Sequence, residues 1–144
     1  MTRGQIAIIA KDDKVVTSME FNGDMYMPTK EWKGLGQLAV NALKRTTDLA
    51  TYLFEIARFN KNHHHYNDCV HIASEMGLET LDFSNKYFDN WFSDYVYIKN
   101  LTDREVAIKT AIHDEKGNKI GCEDSLLQPN QIAVVCFGEL KKVF

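Results

Sequence analysis

The densest run of metal-binding side chains is His63, His64, His65, Tyr66, Asn67, Asp68, Cys69, Val70 and His71. Neutral imidazole, thiolate and carboxylate are the usual ligands of zinc and related metals. If a helix reaches back to residue 64, then His64, Asp68 and His71 share one face at i, i+4 and i+7. His65 and Cys69 share another. No second cluster completes a coordination shell, since His113 and Cys122 stand isolated in sequence. The run therefore reads first as a polar segment in which Asn67 caps a following helix, and neither a metal nor a cofactor is expected.

Thr2 is the second candidate. With the initiator methionine removed, an N-terminal threonine can attack as a nucleophile with its own α-amine as base. Thr2, an apolar strand, the acidic turn Asp12-Asp13 and then Val15-Val16 resemble the opening of N-terminal-nucleophile hydrolases such as proteasome β-subunits, over some twenty residues. That resemblance implies a lysine on a neighbouring strand. Lys14 falls in the turn and Lys33 in a predicted helix, so neither fits, and the remaining chain does not supply the four layers of sheets and helices that such enzymes use.

The third candidate is a surface. Tyr87, Phe88, Asp89, Asn90, Trp91, Phe92, Ser93, Asp94, Tyr95, Val96 and Tyr97 interleave rings with acids. Tyrosine and tryptophan give large contact area at low entropic cost, and an acid beside a ring selects a basic partner. Phe88, Trp91 and Phe92 are assigned to the core. Asp89, Asp94, Tyr95 and Tyr97 are the candidate binding residues. On a strand Tyr95 and Tyr97 face one way and Val96 and Ile98 the other, and the aliphatic pair is expected to face the core.

Arg3-Gly4, then Asn22, Gly23, Asp24, Met25, Tyr26, Met27 and Pro28, then Gly34-Leu35-Gly36, make a fourth pattern. Over roughly the first 40 residues it resembles small phage and mobile-element proteins of unknown function, which open with Arg-Gly, a hairpin, an Asp-Gly-Tyr-Pro-like turn and a glycine-containing helix start. Asp24 and Tyr26 match that turn in type, whereas Gly23 precedes the aspartate and Met27 separates Tyr26 from Pro28. The resemblance implies a mobile-element origin and adds Asp24 and Tyr26 to the candidate binding residues. Gly34 and Gly36 form no phosphate loop, because the Lys-Ser/Thr that should follow is missing. Glu75, Glu79 and Asp82 read as a solvated face.

These residues must be positioned by elements that the periodicity outlines. Residues 4–21 read as a β-hairpin built on Ile6, Ile8, Ile9, Val15, Val16, Met19 and Phe21, turning at Asp12-Asp13. Residues 30–77 read as helical. Trp32, Leu35, Ala39, Ala42 and Leu43 share one face, Thr46, Thr47 and Asp48 supply caps, and Leu49, Leu53, Ile56 and Asn60 follow a second line. A third helix is predicted from about Asn67 to Met76, with Gly77 as its left-handed cap. The rest reads as strands at residues 95–98, 106–113, near 120–122 and 132–137. The predicted class is α+β, a single domain over residues 1–144: an N-terminal hairpin, a helical middle and a C-terminal antiparallel meander. The simplest assembly lays the helices on one face of an antiparallel sheet; the alternative gives the meander its own small sandwich.

Composition narrows the function. A chain of 144 residues can bury a sizeable core without disulfide or metal. Its formal net charge of −3 argues against general nucleic-acid binding while leaving room for a local basic patch. Cys69, Cys122 and Cys136 are widely spaced, as expected of free thiols in a cytoplasmic protein. No apolar stretch approaches the ~20 residues of a membrane span, and the N-terminal residues lack the apolar core of a signal peptide. No motif names a reaction. The expectation is a non-catalytic accessory protein with a protein partner, a candidate inhibitor of a host defence or regulatory protein, its oligomeric state left open. A small hydrolase using Thr2, a metal-dependent enzyme using the histidine run, and a ligand-binding oligomeric module are the alternatives.

Overall fold

Ile6, Ala7, Ile8 and Ile9 form an uninterrupted apolar run, and a strand with such a run has no face to give to water. All but the first residue of this strand, β1 (Arg3–Ile9), are buried. The computed structural model describes residues 2–63, 72–84 and 92–144. Among them β1 is followed by β2 (Lys14–Ser18), β3 (Phe21–Asn22), α1 (Gly36–Lys44), α2 (Leu49–His63), β4 (Ile72–Gly77), β5 (Tyr95–Asn100), β6 (Val106–His113), β7 (Lys119–Leu127), β8 (Ile132–Cys136) and β9 (Glu139–Lys142). The class is α+β.

One sheet has the order β4-β2-β1-β5-β8-β9, with β3 paired to the start of β1, and β6 and β7 form a separate two-stranded sheet. Ile6, Ile8, Val16, Tyr97, Ile132 and Val134 point to one side and pack under α1 and α2 through Val40, Leu43, Tyr52 and Phe59. Ala7, Ile9, Val15, Val96, Ile98, Ala133 and Val135 point to the other and pack under Val106, Ile108 and Leu127 of the β6–β7 hairpin. The result is three layers, with the large sheet in the middle.

Three sequence expectations change. The sheet is mixed, because β5 runs parallel to β1 from Gly4↔Tyr95 to Ile9↔Asn100. A buried strand such as β1 has backbone N–H and C=O groups to satisfy on both edges, and the later strand β5 supplies the second. Residues 72–77 are β4, antiparallel to β2 from Ser18↔Ile72 to Lys14↔Gly77, so the described α-helices end at His63. Gly77 is extended there, with φ −74° and ψ 153°, so it is no left-handed cap and instead leads into a short 3-10 turn at Leu78–Thr80. Finally, α1 starts at Gly36, six residues after the expected onset. Residues 29–32 form a turn in which the Thr29 hydroxyl accepts from the Glu31 and Trp32 amides, and Trp32 is 63% exposed.

The helix layer is fastened by polar groups reaching into the sheet. Between β2 and β3 the ladder to β1 breaks at Ser18, leaving Ile6 without a strand partner on that edge. The Ser18 hydroxyl accepts from the Ile6 amide at 2.9 Å, and the Tyr52 hydroxyl of α2 donates to the Ile6 carbonyl at 2.6 Å. Both groups are thereby satisfied, as burial requires. Lys99 of β5, 5% exposed, donates to the carbonyls of Leu43 and Thr46 at 2.8 and 2.7 Å, where the α1 dipole favours a cation. Asn100, on the opposite face, donates to the carbonyls of Leu127 and Arg104 at 2.9 Å each and so holds the hairpin layer. At the start of α2, Asp48 accepts from the Thr51 amide at 2.8 Å, as a helix cap should.

Burial holds the hydroxyls of Tyr52 and Tyr97 protonated far above the ordinary tyrosine range. In the unfolded chain each ionises near pH ~10. The stability they contribute is complete below that value and is lost as pH rises from there towards their folded-state values. A spectrophotometric phenolate titration is expected to show at least two tyrosines that ionise in the denatured protein near pH ~10 and stay silent in the folded one. Tyr52→Phe and Tyr97→Phe should each remove one silent group. Full ionisation of the folded protein at the ordinary value would contradict this packing.

Candidate functional site

The helix hairpin brings together charges that are distant in sequence. Four residues join α1 to α2. Arg45, which ends α1, donates from Nε and Nη2 to the two oxygens of Glu55, both at 3.0 Å. Glu55 is 5% exposed and belongs to the inward series Tyr52, Glu55, Ile56, Phe59 of α2. A carboxylate there is tolerable because a guanidinium satisfies both its oxygens. The pairing raises Arg45 further above its already high value. Alongside it, the seam between the helices opens into a cleft of ≈160 Å³, lined by Asn41, Arg45, Glu55, Arg58, Asn62 and His63 among others. The His63 ring packs on Phe59 with centroids 4.9 Å apart, and burial pushes its imidazole below the ordinary value. Gln37 donates to Asn41 Oδ1 at 3.0 Å, which leaves the Asn41 amide hydrogens for the cleft.

The residues expected to form a site lie elsewhere. Tyr97 is fully buried, and its hydroxyl donates to the Met25 carbonyl. The alternation of Tyr95 and Tyr97 against Val96 and Ile98 is as expected. The assignment of the tyrosines to solvent fails, because the sheet is covered on both sides and the tyrosine side lies beneath the helices. Tyr95 is half-buried and stacks on Tyr97 with centroids 6.5 Å apart. Burial, and then the hydrogen bond to the Cys136 thiol, pushes its hydroxyl up to about 12. Asp94 is engaged with Arg3, accepting from its amide at 3.4 Å and pairing with its guanidinium at 3.8 Å. Asp89 lies outside the described residues, as does the histidine run beyond His63.

Asp24 and Tyr26 work through their backbone. The Asp24 carbonyl accepts from the Leu35 amide at 2.7 Å, and the Tyr26 carbonyl from the Gly36 amide at 3.0 Å. These bonds satisfy amides at the start of α1 that no side chain caps. The approach requires glycine: a Cβ on Gly34 would sit 1.9 Å from the Tyr26 carbonyl oxygen, and one on Gly36 2.2 Å from the Tyr97 hydroxyl. Asp24 itself adopts φ 52°, which aspartate tolerates. The glycines at 34 and 36 and the turn at residues 24–26 thus form one packing unit.

Thr2 gives its carbonyl to the Met25 amide at 3.0 Å. The buried lysine, Lys99, stands at the level of Ile8, roughly 20 Å along the strand at ~3.3 Å per residue. A second concavity, of ≈520 Å³, lies beside the hairpin layer and includes Asp13, Glu79, Asp82, Lys109 and Asp124. Asp13 pairs there with Arg104 at 2.6 Å, and Asp82 accepts from the Ser84 amide at 2.8 Å. Glu75 pairs with Lys14 at 3.0 Å. Among the described residues no group of three His, Cys, Asp or Glu is arranged to hold a metal. Cys122 and Cys136 are free thiols.

Protein-family models, curated proteins and solved structures were compared with the chain, and none matches. The seam between α1 and α2 is the arrangement that sequence reading missed. Its signal was present: Glu55 stands at an apolar position of its helix, and a charge there demands a partner.

The two arginines of the seam should separate in a stability measurement. Arg45→Met strips a buried carboxylate of its charged donor and is expected to cost about 1–3 kcal/mol, with part of that offset because the arginine is half-exposed. Arg58 is exposed and has no side-chain partner among the described residues, so Arg58→Gln should stay within ~0.5 kcal/mol of the parent. Urea denaturation measures both, and equal effects would contradict the asymmetry.

Proposed function

We propose that this chain is a non-catalytic binding protein, an accessory protein of mobile-element type that blocks a host protein by docking an acidic surface of it on the helix layer. The observation that carries the reading is charge segregation. Residues 28–63 hold six cations (Lys30, Lys33, Lys44, Arg45, Arg58 and Lys61) against three carboxylates (Glu31, Asp48 and Glu55), in a chain of net charge −3. One of the three, Glu55, is buried. On α2, Phe54, Arg58 and Lys61 follow at spacings of four and three and are all exposed, Phe54 to 65%. An exposed ring flanked by cations is the composition of an interface anchor, and opposite charge on the partner speeds encounter and fixes orientation. The mobile-element component follows from the resemblance of the first 40 residues, and the inhibitor component from the chain's small size, its net acidity and the lack of a catalytic motif in its sequence. This surface replaces the acidic-aromatic one, because Tyr97 is core and Asp94 is paired.

Capture from host extract with the parent protein, followed by mass spectrometry, is expected to recover an acidic protein in a salt-sensitive manner. Phe54→Ser combined with Lys61→Glu should fold normally and weaken binding of the purified partner by at least about tenfold, in the range of interface anchors. Thr2→Ala should bind as the parent does. Undiminished binding by the double variant, or a loss of function on Thr2→Ala in a folded protein, would defeat the reading.

A further inference from the structure

The cleft between α1 and α2 has features that an interface for a protein surface does not require. Its guanidinium is held in place before any ligand arrives. Glu55 occupies Nε and one hydrogen of Nη2 of Arg45. The two hydrogens of Nη1 and the second of Nη2 remain, as a fork that can meet two oxygens of one anion. Both oxygens of Glu55 are taken by that contact, so the carboxylate acts on the cleft mainly by orienting Arg45. From the facing helix Arg58 brings a second guanidinium, free of side-chain partners among the described residues. Asn41 offers amide hydrogens because its oxygen is engaged by Gln37, and Asn62 lines the same opening.

We infer that this seam is a binding site for a phosphoryl group, presented as a phosphate monoester and held between Arg45 and Arg58. The donor count favours a tetrahedral oxyanion. A carboxylate is saturated by one guanidinium fork, whereas two guanidiniums and two amides can serve three terminal oxygens. The volume of ≈160 Å³ fits the same conclusion, since pockets that enclose a whole cofactor or drug-sized ligand run from ~300 Å³ upwards. The cleft accordingly grips the phosphate and leaves the rest of the molecule outside. Charge agrees in sign: Arg45 and Arg58 exceed Glu55 by one, and Lys61 stands one turn beyond Arg58. The inference goes beyond the docking of an acidic protein and does not depend on it, because it rests on the seam residues alone.

The test uses the full chain and inorganic phosphate, titrated by NMR and by thermal shift against sodium chloride of equal ionic strength. Saturable binding that perturbs α1 and α2 is expected, with Arg58→Gln weakening it at least about tenfold, as loss of a charge-assisted bond implies. The variant should melt like the parent in chloride, which removes misfolding as an explanation. Phosphoserine and adenosine monophosphate then distinguish the source of the phosphate. Tighter binding of either than of inorganic phosphate supports the site and names the class of ester. An equal response to chloride, unchanged affinity in Arg58→Gln, or no binding of either ester would overturn it. Phe54→Ser alone, which leaves every charge in place, should weaken protein docking and still bind phosphate, so failure of the protein-docking surface and failure of this site are separately visible.

Discussion

The end of β5 is the point on which the rest of the molecule depends. Lys99 and Asn100 are adjacent, point to opposite faces of the sheet, and are both buried. One reaches the Leu43 carbonyl at the end of α1 and the Thr46 carbonyl just past it, and the other the Leu127 carbonyl of the hairpin layer and the Arg104 carbonyl just before it. Taking an ammonium out of water costs several kcal/mol, and here its desolvation holds Lys99 below the ordinary lysine range. The cost is offset because the carbonyls at a helix C-terminus otherwise lack donors. β1 and β5 run side by side through the centre with apolar residues on both faces, and such a pair is stable only if both faces are covered. The two polar residues fix where the covers sit.

How much of this was legible follows from which interactions are local. That helices lie here was readable because apolar spacing is a property of adjacent turns, and Asp48 lies within three residues of the Thr51 amide that donates to it. The inward face of α2 was not, since Leu49 of the expected line is exposed and Tyr52, Glu55, Ile56 and Phe59 are buried. The parallel pairing of β1 with β5 joins residues about ninety apart, and no local pattern encodes it. The uninterrupted run from Ile6 to Ile9 did carry a hint, since a strand with one wet face alternates and this one does not. Residues 72–77 were misread for a related reason. Ile72, Ala73, Ser74, Glu75, Met76 and Gly77 are acceptable to either helix or strand, and the open edge of β2 decides between them. Tyr97 marks a different limit. Period two correctly separated the tyrosines from Val96 and Ile98, but when both faces are buried, period two cannot say which side is wet.

The candidate site was hidden by composition. Runs of histidine and of aromatic residues attract attention because chemistry is dense in them, whereas the seam is assembled from single residues at 41, 45, 55, 58, 62 and 63. What marks it in sequence is a violation: one charge in a buried register, and cations on the helix surface with few acids to answer them. Violations of pattern point to function more reliably than enrichment does, since a buried charge must be compensated and an exposed run need not be. The glycines at 34 and 36 belong to the same logic. They are no phosphate loop, but they admit the backbone carbonyls of residues 24–26 that start α1 and so set the helix hairpin against the sheet.

That placement is what makes the helix layer suitable as a binding surface. A short helix such as α1 is not stable by itself in water, and a site built on a mobile helix would lose much of its affinity to ordering. Here α1 is fixed at its start by the carbonyls of Asp24 and Tyr26 and at its end by Lys99, and α2 is fixed to β1 by the Tyr52 hydroxyl. The seam between them is therefore rigid before anything binds, and Glu55 holds Arg45 within it. The polar bonds that satisfy an irregular sheet edge and two helix ends are the same bonds that preorganise the seam. A ligand arriving there finds Arg45 and Asn41 already oriented by Glu55 and Gln37, and that part of the ordering cost has been met by folding.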